Sequence, residues 1–532
     1  MATTLSYESL RERHRWNVPS SFNIAVGCCD RHPGGDAALV TDRETYSFGR
    51  LRELSNRFAN ALAALGVSRG DRVAIFLPQS AETGIAHVAA YKLGAVAVPM
   101  TVLFGPQAVQ YRLGDSGARV VVTDLERVGA VLDAGVDDVT IVVVDGGTSP
   151  LLSFWELVGA ASPAFEPVAT RADDPAVLIY TSGTTGAPKG ALLAHRTLLG
   201  HLPGFELSHD FFPRADDAFW TPADWAWIGG LMDALLPAWY HGRPVVVSPP
   251  GRFDPERAAR FVVERGIRNV FLPPTALKLM READVAVPAD TLRSVMSGGE
   301  PLGEEMLRWG RSALGVTVNE IYGQTEANYL VGNCSAVWPV KPGSMGRPYP
   351  GHDVQVVDEA GRAVAVGEVG EVALALPDPV AFLEYVGRPD ATRDKRTADG
   401  MLLLTGDLAR VDEHGYLWFE ARRDDVITSA GYRIGPAEIE ECILRHPLVV
   451  MAAAIGVPDT VRGHVVKVFV QLAAGATGGD GLADELRELV RTRLAPYETP
   501  RYVEFVRELP LTTTGKIRRA ELRERPGERA AP

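Results

Sequence analysis

The chain is short of cysteine, of long apolar runs and of positive charge, and each shortage closes off a class of protein. Its four cysteines, Cys28, Cys29, Cys334 and Cys442, are too few and too scattered for a disulfide framework or a structural zinc site. No apolar stretch approaches the ~20 residues that span a bilayer. The N-terminal MATTLSYESLRERHRWN lacks the hydrophobic centre of a signal peptide. The expectation is a cytoplasmic protein with no membrane insertion. Lys and Arg number 54 against 67 Asp and Glu, a net charge of -13, which argues against general nucleic-acid binding. No internal repeat or long low-complexity tract is present. What remains is 532 residues, 46% hydrophobic and 23% charged, the composition of a globular enzyme. That length accommodates roughly two to four domains.

From Val73 onward, runs of strand and helix character alternate. Val73–Leu77, Ala95–Pro99, Val120–Thr123 and Thr140–Val144 read as strands, with helices over Ala81–Leu93 and Pro106–Ser116. The segment from Gly146 to Asp174 is rich in Pro, Ser and Ala and reads as a connection. The alternation resumes with strands at Ala218–Thr221, Pro244–Val247, Asn269–Leu272, Leu292–Ser297 and Val316–Ile321. Strands alternating with helices predict a parallel sheet covered on both faces. Polar or glycine-rich motifs recur at the carboxyl ends of these strands, where open α/β sheets bind ligands. Beyond about Gly343 the texture turns β-rich, and from Asp424 a second, smaller unit begins. The predicted architecture is therefore α/β: a large N-terminal domain of doubly wound α/β subdomains with a β-rich subdomain, residues 1–423, then a small, mobile α+β domain, residues 424–532.

One stretch stands out, YTSGTTGAPKG, Tyr180 to Gly190. It follows the apolar run Ala176–Ile179, read as a strand. It precedes Ala191–Gly200, read as the start of a helix. Hydroxyls, bare amides and one Lys between a strand and a helix have the form of a phosphate cradle. Gly183, Gly186 and Gly190 would let backbone approach an anion. Only Ala187 and Pro188 separate Gly186 from Lys189, so this is not the Walker A loop, and a kinase or P-loop ATPase is disfavoured.

Four further stretches place the chain. These are YGQTE at Tyr322–Glu326, TGD at Thr405–Asp407, RRDDVITSAGYRIGPAEIE at Arg422–Glu440 and PLTTTGKIRR at Pro510–Arg519. In this order and spacing, over nearly the whole chain, they resemble the adenylate-forming superfamily of acyl-CoA synthetases, peptide-synthetase adenylation domains and luciferases. TPADWAWIGG (Thr221–Gly230) and KPGSMGRPYPGHDVQVVD (Lys341–Asp358) look most like the medium-chain acyl-CoA synthetase group. As isolated triplets TGD and GGE would be ordinary turns. The ensemble gives them meaning.

The resemblance implies a two-step reaction. A carboxylate attacks the α-phosphate of ATP and pyrophosphate leaves. A thiol then displaces AMP. It also implies roles. Thr181, Ser182, Gly183, Thr184, Thr185 and Lys189 would embrace the β- and γ-phosphates. Gly298, Gly299, Glu300 and Pro301 would line the adenine slot, with Tyr322 stacked on the base, Glu320 beside it, and Gly323 and Gln324 adjoining. Thr325 would meet the α-phosphate, and Glu326 would offer a carboxylate to Mg²⁺, a hard cation that prefers oxygen. Asp407 would accept the ribose hydroxyls with Arg422 assisting. Lys516 would bridge the attacking carboxylate and the α-phosphate. Asp424 matches the hinge about which the small domain turns, after which Ala430, Gly431 and Tyr432 would line a pantetheine tunnel.

The acyl pocket departs from the pattern of enzymes restricted to acetate. Those place a Trp where Gly323 stands, and larger residues in place of Gly229 and Gly298. Three glycines are thus expected to open a volume walled by Trp220, Trp225, Trp227 and Ile228, and an acid larger than acetate is expected to fill it: medium-chain, branched, aromatic or polycyclic. ATP, CoA and the acid are the expected small-molecule partners, and a homodimer is compatible with this reading. Two alternatives stand beside a CoA ligase. One is an adenylating enzyme that loads a carrier protein. The other is a nucleotide-binding protein without catalysis, disfavoured because Thr185, Lys189, Glu326, Asp407, Arg422 and Lys516 are all present.

Overall fold

The computed structural model describes residues 5–147, 149–181, 188–249, 251–423, 425–429, 432–459, 462–494, 498–512 and 516–524. The chain divides into two units. One comprises Met1–Thr181, Lys189–Val354 and Leu374–Leu403, the other Gln355–Ala373 and Leu404–Pro532.

Two sheets build the first unit. One has nine strands, in the order Arg347–Pro348, Ala327–Gly332, Val318–Gln324, Ser294–Gly298, Asn269–Phe271, Phe219–Trp220, Val245–Val246, Ala37–Val40, Thr45–Ser47. Its centre is parallel, from Val318–Gln324 across to Ala37–Val40. The other has eight strands, in the order Glu384–Tyr385, Lys189–Ala194, Pro175–Thr181, Val96–Pro99, Arg72–Ile75, Ala118–Thr123, Thr140–Val143, Leu152–Ser153. Near-continuous apolar strands such as Val96–Pro99, buried at every position, are what a parallel sheet covered on both faces requires. The helices between them are set by local signals. Ser80 caps Ala81–Lys92 through its hydroxyl, and Pro106 opens the helix Pro106–Ser116 after Gly105. Helix Pro255–Glu264 begins at Asp254, whose carboxylate accepts from the Arg257 amide, and buries Ala258, Ala259, Phe261 and Val262.

The alternating α/β reading of this region therefore holds, with local corrections. The stretch Ala191–Gly200 is not the start of a helix. Lys189–Ala194 is a strand antiparallel to Pro175–Thr181, and the helix begins at Arg196. Ala and Leu give GALLA a helical propensity, but the edge of Pro175–Thr181 supplies a ladder partner, and tertiary pairing outweighs propensity. The connection Gly146–Asp174 contains the helix Phe154–Ala160, capped by Ser153.

The second unit also holds two sheets. Val354–Val357, Val369–Ala375, Leu402–Val411 and Leu417–Arg422 form a four-stranded sheet, the expected β-rich part. The other sheet centres on Gly463–Leu472, paired with Val449–Asp459, Ile427–Ser429 and Tyr502–Val506. Helices Pro436–Leu444 and Asp480–Arg493 pack on it through Ile439, Ile443, Leu486 and Val490.

Candidate active site

Pro175–Thr181 and Lys189–Ala194 form the two arms of the cradle, with Thr181 opposite Lys189. The Thr181 hydroxyl donates to the Lys189 carbonyl at 3.3 Å. Ser182, Gly183, Thr184 and Thr185 lie outside the described residues. The foot of the hairpin is tied down by charge. The Tyr180 hydroxyl donates to Asp115 at 2.9 Å, and Asp115 is paired with Arg388 at 3.1 Å.

The edge strand Glu384–Tyr385 joins the cradle to the YGQTE turn. It pairs with Ala191 and Leu192 of the hairpin. The Tyr385 hydroxyl donates to Glu326 Oε1, and Lys189 Nζ lies 5.4 Å from the centroid of the same ring. One tyrosine therefore touches both the cradle lysine and the carboxylate of YGQTE. The Phe382 amide also donates to the Glu326 carbonyl at 2.9 Å, so backbone and side chain of Glu326 are both fixed. Gln324 accepts from Lys395 Nζ at 2.9 Å. Thr325 lies in the turn between the strands Val318–Gln324 and Ala327–Gly332. No motif marks Tyr385 in the sequence. Its only signal was an aromatic in a short apolar run, FLEYV, which carries no motif by itself.

Gly298 ends the strand Ser294–Gly298, and Gly299 follows with φ +109°, a conformation that L side chains rarely adopt. Glu300 is paired with Lys278 at 3.3 Å, and Pro301 follows it. Glu320 is buried, and its Oε2 accepts from the Leu302 amide at 3.1 Å. That carboxylate oxygen thus shapes the GGEPL loop. Tyr322 is half-buried, across the ladder from Val331.

The three pocket glycines do not face open space. A Cβ on Gly229 would lie 2.7 Å from Phe271 Cε1. On Gly298 it would lie 2.6 Å from Ile321 Cγ1 and 3.0 Å from the Ile321 carbonyl. On Gly323 it would lie 2.4 Å from Asn328 Oδ1 and 2.7 Å from the Tyr329 nitrogen. Gly298 and Gly323 are crowded by the backbone of neighbouring strands and Gly229, in a helical turn, by the Phe271 ring, so their bareness does not by itself open a pocket. The tryptophans also divide. Trp220 is core, packed edge-on against Phe261 and donating to Ser248 Oγ at 3.3 Å. Trp225 is 1% exposed. Ile228 and Gly229 open a short helical turn. Trp227 instead lines a narrow cleft with Thr101, Phe104, Arg112, Tyr180 and Ala226, whose free space of about 10 Å³ has room for about one water. The cleft thus reaches the cradle strand through Tyr180. Burial lowers the Arg112 guanidinium pKa to about 10, and the group lies 3.7 Å from the Phe104 ring centroid.

Behind YGQTE lies a buried polar cluster that the motifs did not reveal. Asn328 donates to Asp233 Oδ1 at 2.5 Å, and His201 Nδ1 lies 3.7 Å from the same oxygen. Burial pushes Asp233 up to about 8 and His201 down to about 3. Asp233 sits in the π-helical turn Leu231–Leu235, and Tyr329 beside Asn328 has φ +55°.

In the second unit Asp407 and Arg422 face each other across the strands Leu402–Val411 and Leu417–Arg422, paired at 3.0 Å. Gly406, at φ +79°, presents its amide to Glu371 at 2.8 Å. Lys516 is exposed at the end of a small hairpin. Its amide donates to Thr512 Oγ1 at 3.0 Å, its carbonyl accepts from the Thr512 amide at 2.6 Å, and Leu511 bridges to Ile517. Asp424, Ala430 and Gly431 lie outside the described residues. Tyr432 is described in its backbone, which opens the strand Tyr432–Ile434.

The model of the AMP-binding enzymes matches residues 27–381, and that of the AMP-binding enzyme C-terminal domain matches 438–516. Among curated proteins, the chain is 36% identical to the uncharacterized acyl–CoA ligase YtcI of Bacillus subtilis, over 91% of both chains. It is 34% identical to the human mitochondrial acyl-coenzyme A synthetase ACSM4, over 98% of this chain and 93% of that one. Among solved structures, an acyl-CoA synthetase of Brucella canis is 35% identical with a TM-score of 0.75, over 97% of this chain and 98% of the other. The anthranilate CoA ligase AuaEII, in complex with anthranoyl-AMP, is 29% identical with a TM-score of 0.85, over 95% and 97%.

Proposed function

The chain belongs to the AMP-binding enzymes, and we propose that within that family it joins a carboxylic acid larger than acetate to CoA. It is an AMP-forming acid–CoA ligase. In the first step a carboxylate oxygen attacks the α-phosphorus of ATP, the bond to the bridging oxygen breaks, and pyrophosphate leaves. In the second the CoA sulfur attacks the acyl carbon, the acyl–oxygen bond breaks, and AMP leaves. Loading of a carrier protein is the less favoured reading, because the named relatives above are CoA ligases and synthetases.

The observation that carries this reading is the junction at Tyr385, which joins Lys189 of the cradle to Glu326 of YGQTE. It brings a cation for phosphate and a buried carboxylate for a metal to one strand edge. Thr181, Ser182, Gly183, Thr184, Thr185 and Lys189 hold the β- and γ-phosphates. Gly298, Gly299, Glu300, Pro301, Tyr322, Gly323 and Gln324 form the adenine slot, and Glu320 fixes its loop. Thr325 meets the α-phosphate. Asp407 accepts from the ribose hydroxyls, and Arg422, paired with it at 3.0 Å, orients its carboxylate.

Mg²⁺ fits Glu326 by donor chemistry, since a buried carboxylate supplies the hard oxygen this ion prefers. Among the described residues no group of three or more His, Cys, Asp or Glu would hold a metal alone, so the nucleotide's phosphates would supply further ligands. When bound, the ion neutralises charge that develops on the departing pyrophosphate. Lys516 lies between the attacking carboxylate and the α-phosphate and offsets the charge gathering there. Turning at Asp424 then withdraws Lys516 and brings Ala430, Gly431 and Tyr432 to the pantetheine.

A substrate larger than acetate is supported by the likeness to the anthranilate CoA ligase solved with anthranoyl-AMP, and the acid would be held at an apolar acyl site. Each methylene buried there favours the larger acid by ~0.8 kcal/mol. We place the enzyme in the cytoplasm from its cysteine usage. No described helix is long and apolar enough to cross a membrane. A screen of carboxylic acids by pyrophosphate release, run with CoA and then with a phosphopantetheinyl carrier, tests the proposal. Acyl-CoA formation from a medium-chain or aromatic acid, with acetate poor, is expected. Activity confined to acetate, or transfer to the carrier with CoA rejected, would overturn it.

A further inference from the structure

The segment that carries Lys516 is held by an ion cage. Side chains alternate along it. Lys516 is exposed, Ile517 packs on the cluster of Ala453, Ile455, Phe469, Leu509 and Leu522, Arg518 pairs with Glu521, and Arg519 turns inward. Arg519 Nη2 donates to both carboxylate oxygens of Glu440 at 2.7 Å, and Nη1 reaches Asp425 Oδ2 at 3.5 Å. Arg523, one turn further, donates to Asp425 Oδ1 at 2.7 Å. The cage is built to be rigid. Glu440 Oε1 also accepts from the Ala454 amide at 2.7 Å, so its carboxylate is fixed by sheet and helix together. The Asp425 side chain is 6% exposed and that of Glu440 12%.

The same cage fixes one side of position 424. Arg423 is paired with Glu371 at 2.9 Å, and Arg422 with Asp407 at 3.0 Å, both on the four-stranded sheet. Asp425, two residues beyond Arg423, is paired with Arg519 and Arg523 on the C-terminal segment. Consecutive ion pairs thus pull the chain to different anchors on either side of residue 424.

We propose that Arg519, with Glu440 and Asp425, is a positioning residue for Lys516. The cage joins the lysine's segment to the residue that follows the hinge, so a rotation at 424 carries Lys516 as one piece and sets it down in register. This rests on the roles given to Lys516 and Asp424 above. Lys516 is three residues from Arg519, roughly 10 Å of extended chain, and the interval is anchored by Ile517, by the Arg518 amide donating to the Pro510 carbonyl at 2.8 Å and by the bonds of Lys516 to Thr512. A lysine stem is flexible, so the direction of its backbone decides where the ammonium arrives. Arg519 spans two carboxylates, with Nη2 on Glu440 and Nη1 3.5 Å from Asp425, and this planar fork fixes orientation as well as charge. Lysine at 519 would keep the charge and lose that fixation.

The test compares the two half-reactions in Arg519→Lys, with Lys516→Ala alongside. Pyrophosphate release reports adenylation, and acyl-CoA formation from a supplied acyl-adenylate reports transfer. Misplacement of a reacting group by about 1 Å costs on the order of a hundredfold. Arg519→Lys should therefore lower kcat of adenylation by about tenfold to a hundredfold, with KM for ATP and the transfer half-reaction each within about twofold. A merely structural role predicts that both half-reactions fall together with Tm, and that result would overturn the proposal. So would unchanged adenylation in Arg519→Lys while Lys516→Ala has lost it. If Lys516→Ala itself adenylates normally, the assignment of Lys516 fails, a distinct outcome because it appears in the reference variant. Should Arg519→Lys fail to fold, the isosteric Glu440→Gln gives the same split.

Discussion

Glu326 and Lys516 are both charged groups assigned to one reaction, yet their settings are opposite. Glu326 is 7% exposed, in the turn between two sheet strands, with its carboxylate held by Tyr385 and its carbonyl by the Phe382 amide. Lys516 is exposed on a small hairpin, held through its backbone and its neighbours. The first is pre-organised. Its oxygens are aimed before any ligand arrives, and little reorganisation is needed when charge develops. The second is suited to being delivered. A group wanted in one half-reaction and unwanted in the next gains nothing from being buried where the reaction occurs. What must be rigid is its mounting, and the cage around Arg519 supplies that.

The contrast can be broken at several points. The largest effect is expected at the delivered group. Lys516→Ala should lower overall acyl-CoA formation by a hundredfold or more, about 3 kcal/mol of transition-state stabilisation, with Tm unchanged, as measured by steady-state kinetics and thermal melts. An exposed residue whose removal cost Tm instead would belong to the fold. Next is Gly323→Trp. A Cβ there lies 2.7 Å from backbone atoms of Asn328 and Tyr329, so overpacking should cost about 2–3 kcal/mol in denaturant unfolding. A stable variant that merely shifts preference toward shorter acids would show that the strand gives way and that the side chain enters the pocket.

Tyr385→Phe should lower kcat/KM for ATP about tenfold, the worth of a hydrogen bond to a charged group, and leave the melt unchanged. Unaltered kinetics would remove Tyr385 from the site. The smallest effect concerns Asp233. Its pKa is raised to about 8 by burial, so the folded protein holds a proton there that the unfolded chain, near pH 4, has released. Stability from this group is full below about pH 4 and is lost as pH rises through about 8. Asp233→Asn keeps the acceptor for Asn328 and removes the titration. Against the wild type it should gain roughly 1 kcal/mol or more between pH 5 and 8. A pH-independent difference would contradict the buried, protonated state.

Much of this was legible in the residues because motifs at strand ends are local. The order of alternating strands and helices, the β-rich part and the placement of YGQTE at a strand end all follow from patterning within short windows. The departures have a common cause in long-range pairing. GALLA reads as helix until the edge of Pro175–Thr181 is there to pair with it. The glycines at 229, 298 and 323 read as vacancy until Phe271, Ile321 and Asn328 are seen to fill the space. Tyr385 is 59 residues from Glu326, and Arg519 is 79 from Glu440, distances across which no periodicity speaks.

Lys516→Ala supplied with preformed acyl-adenylate and CoA gives the most direct measurement of a group needed in one half-reaction only. The account predicts acyl-CoA formation within about twofold of the wild type while pyrophosphate release is down a hundredfold or more. An equal loss in both half-reactions would contradict it.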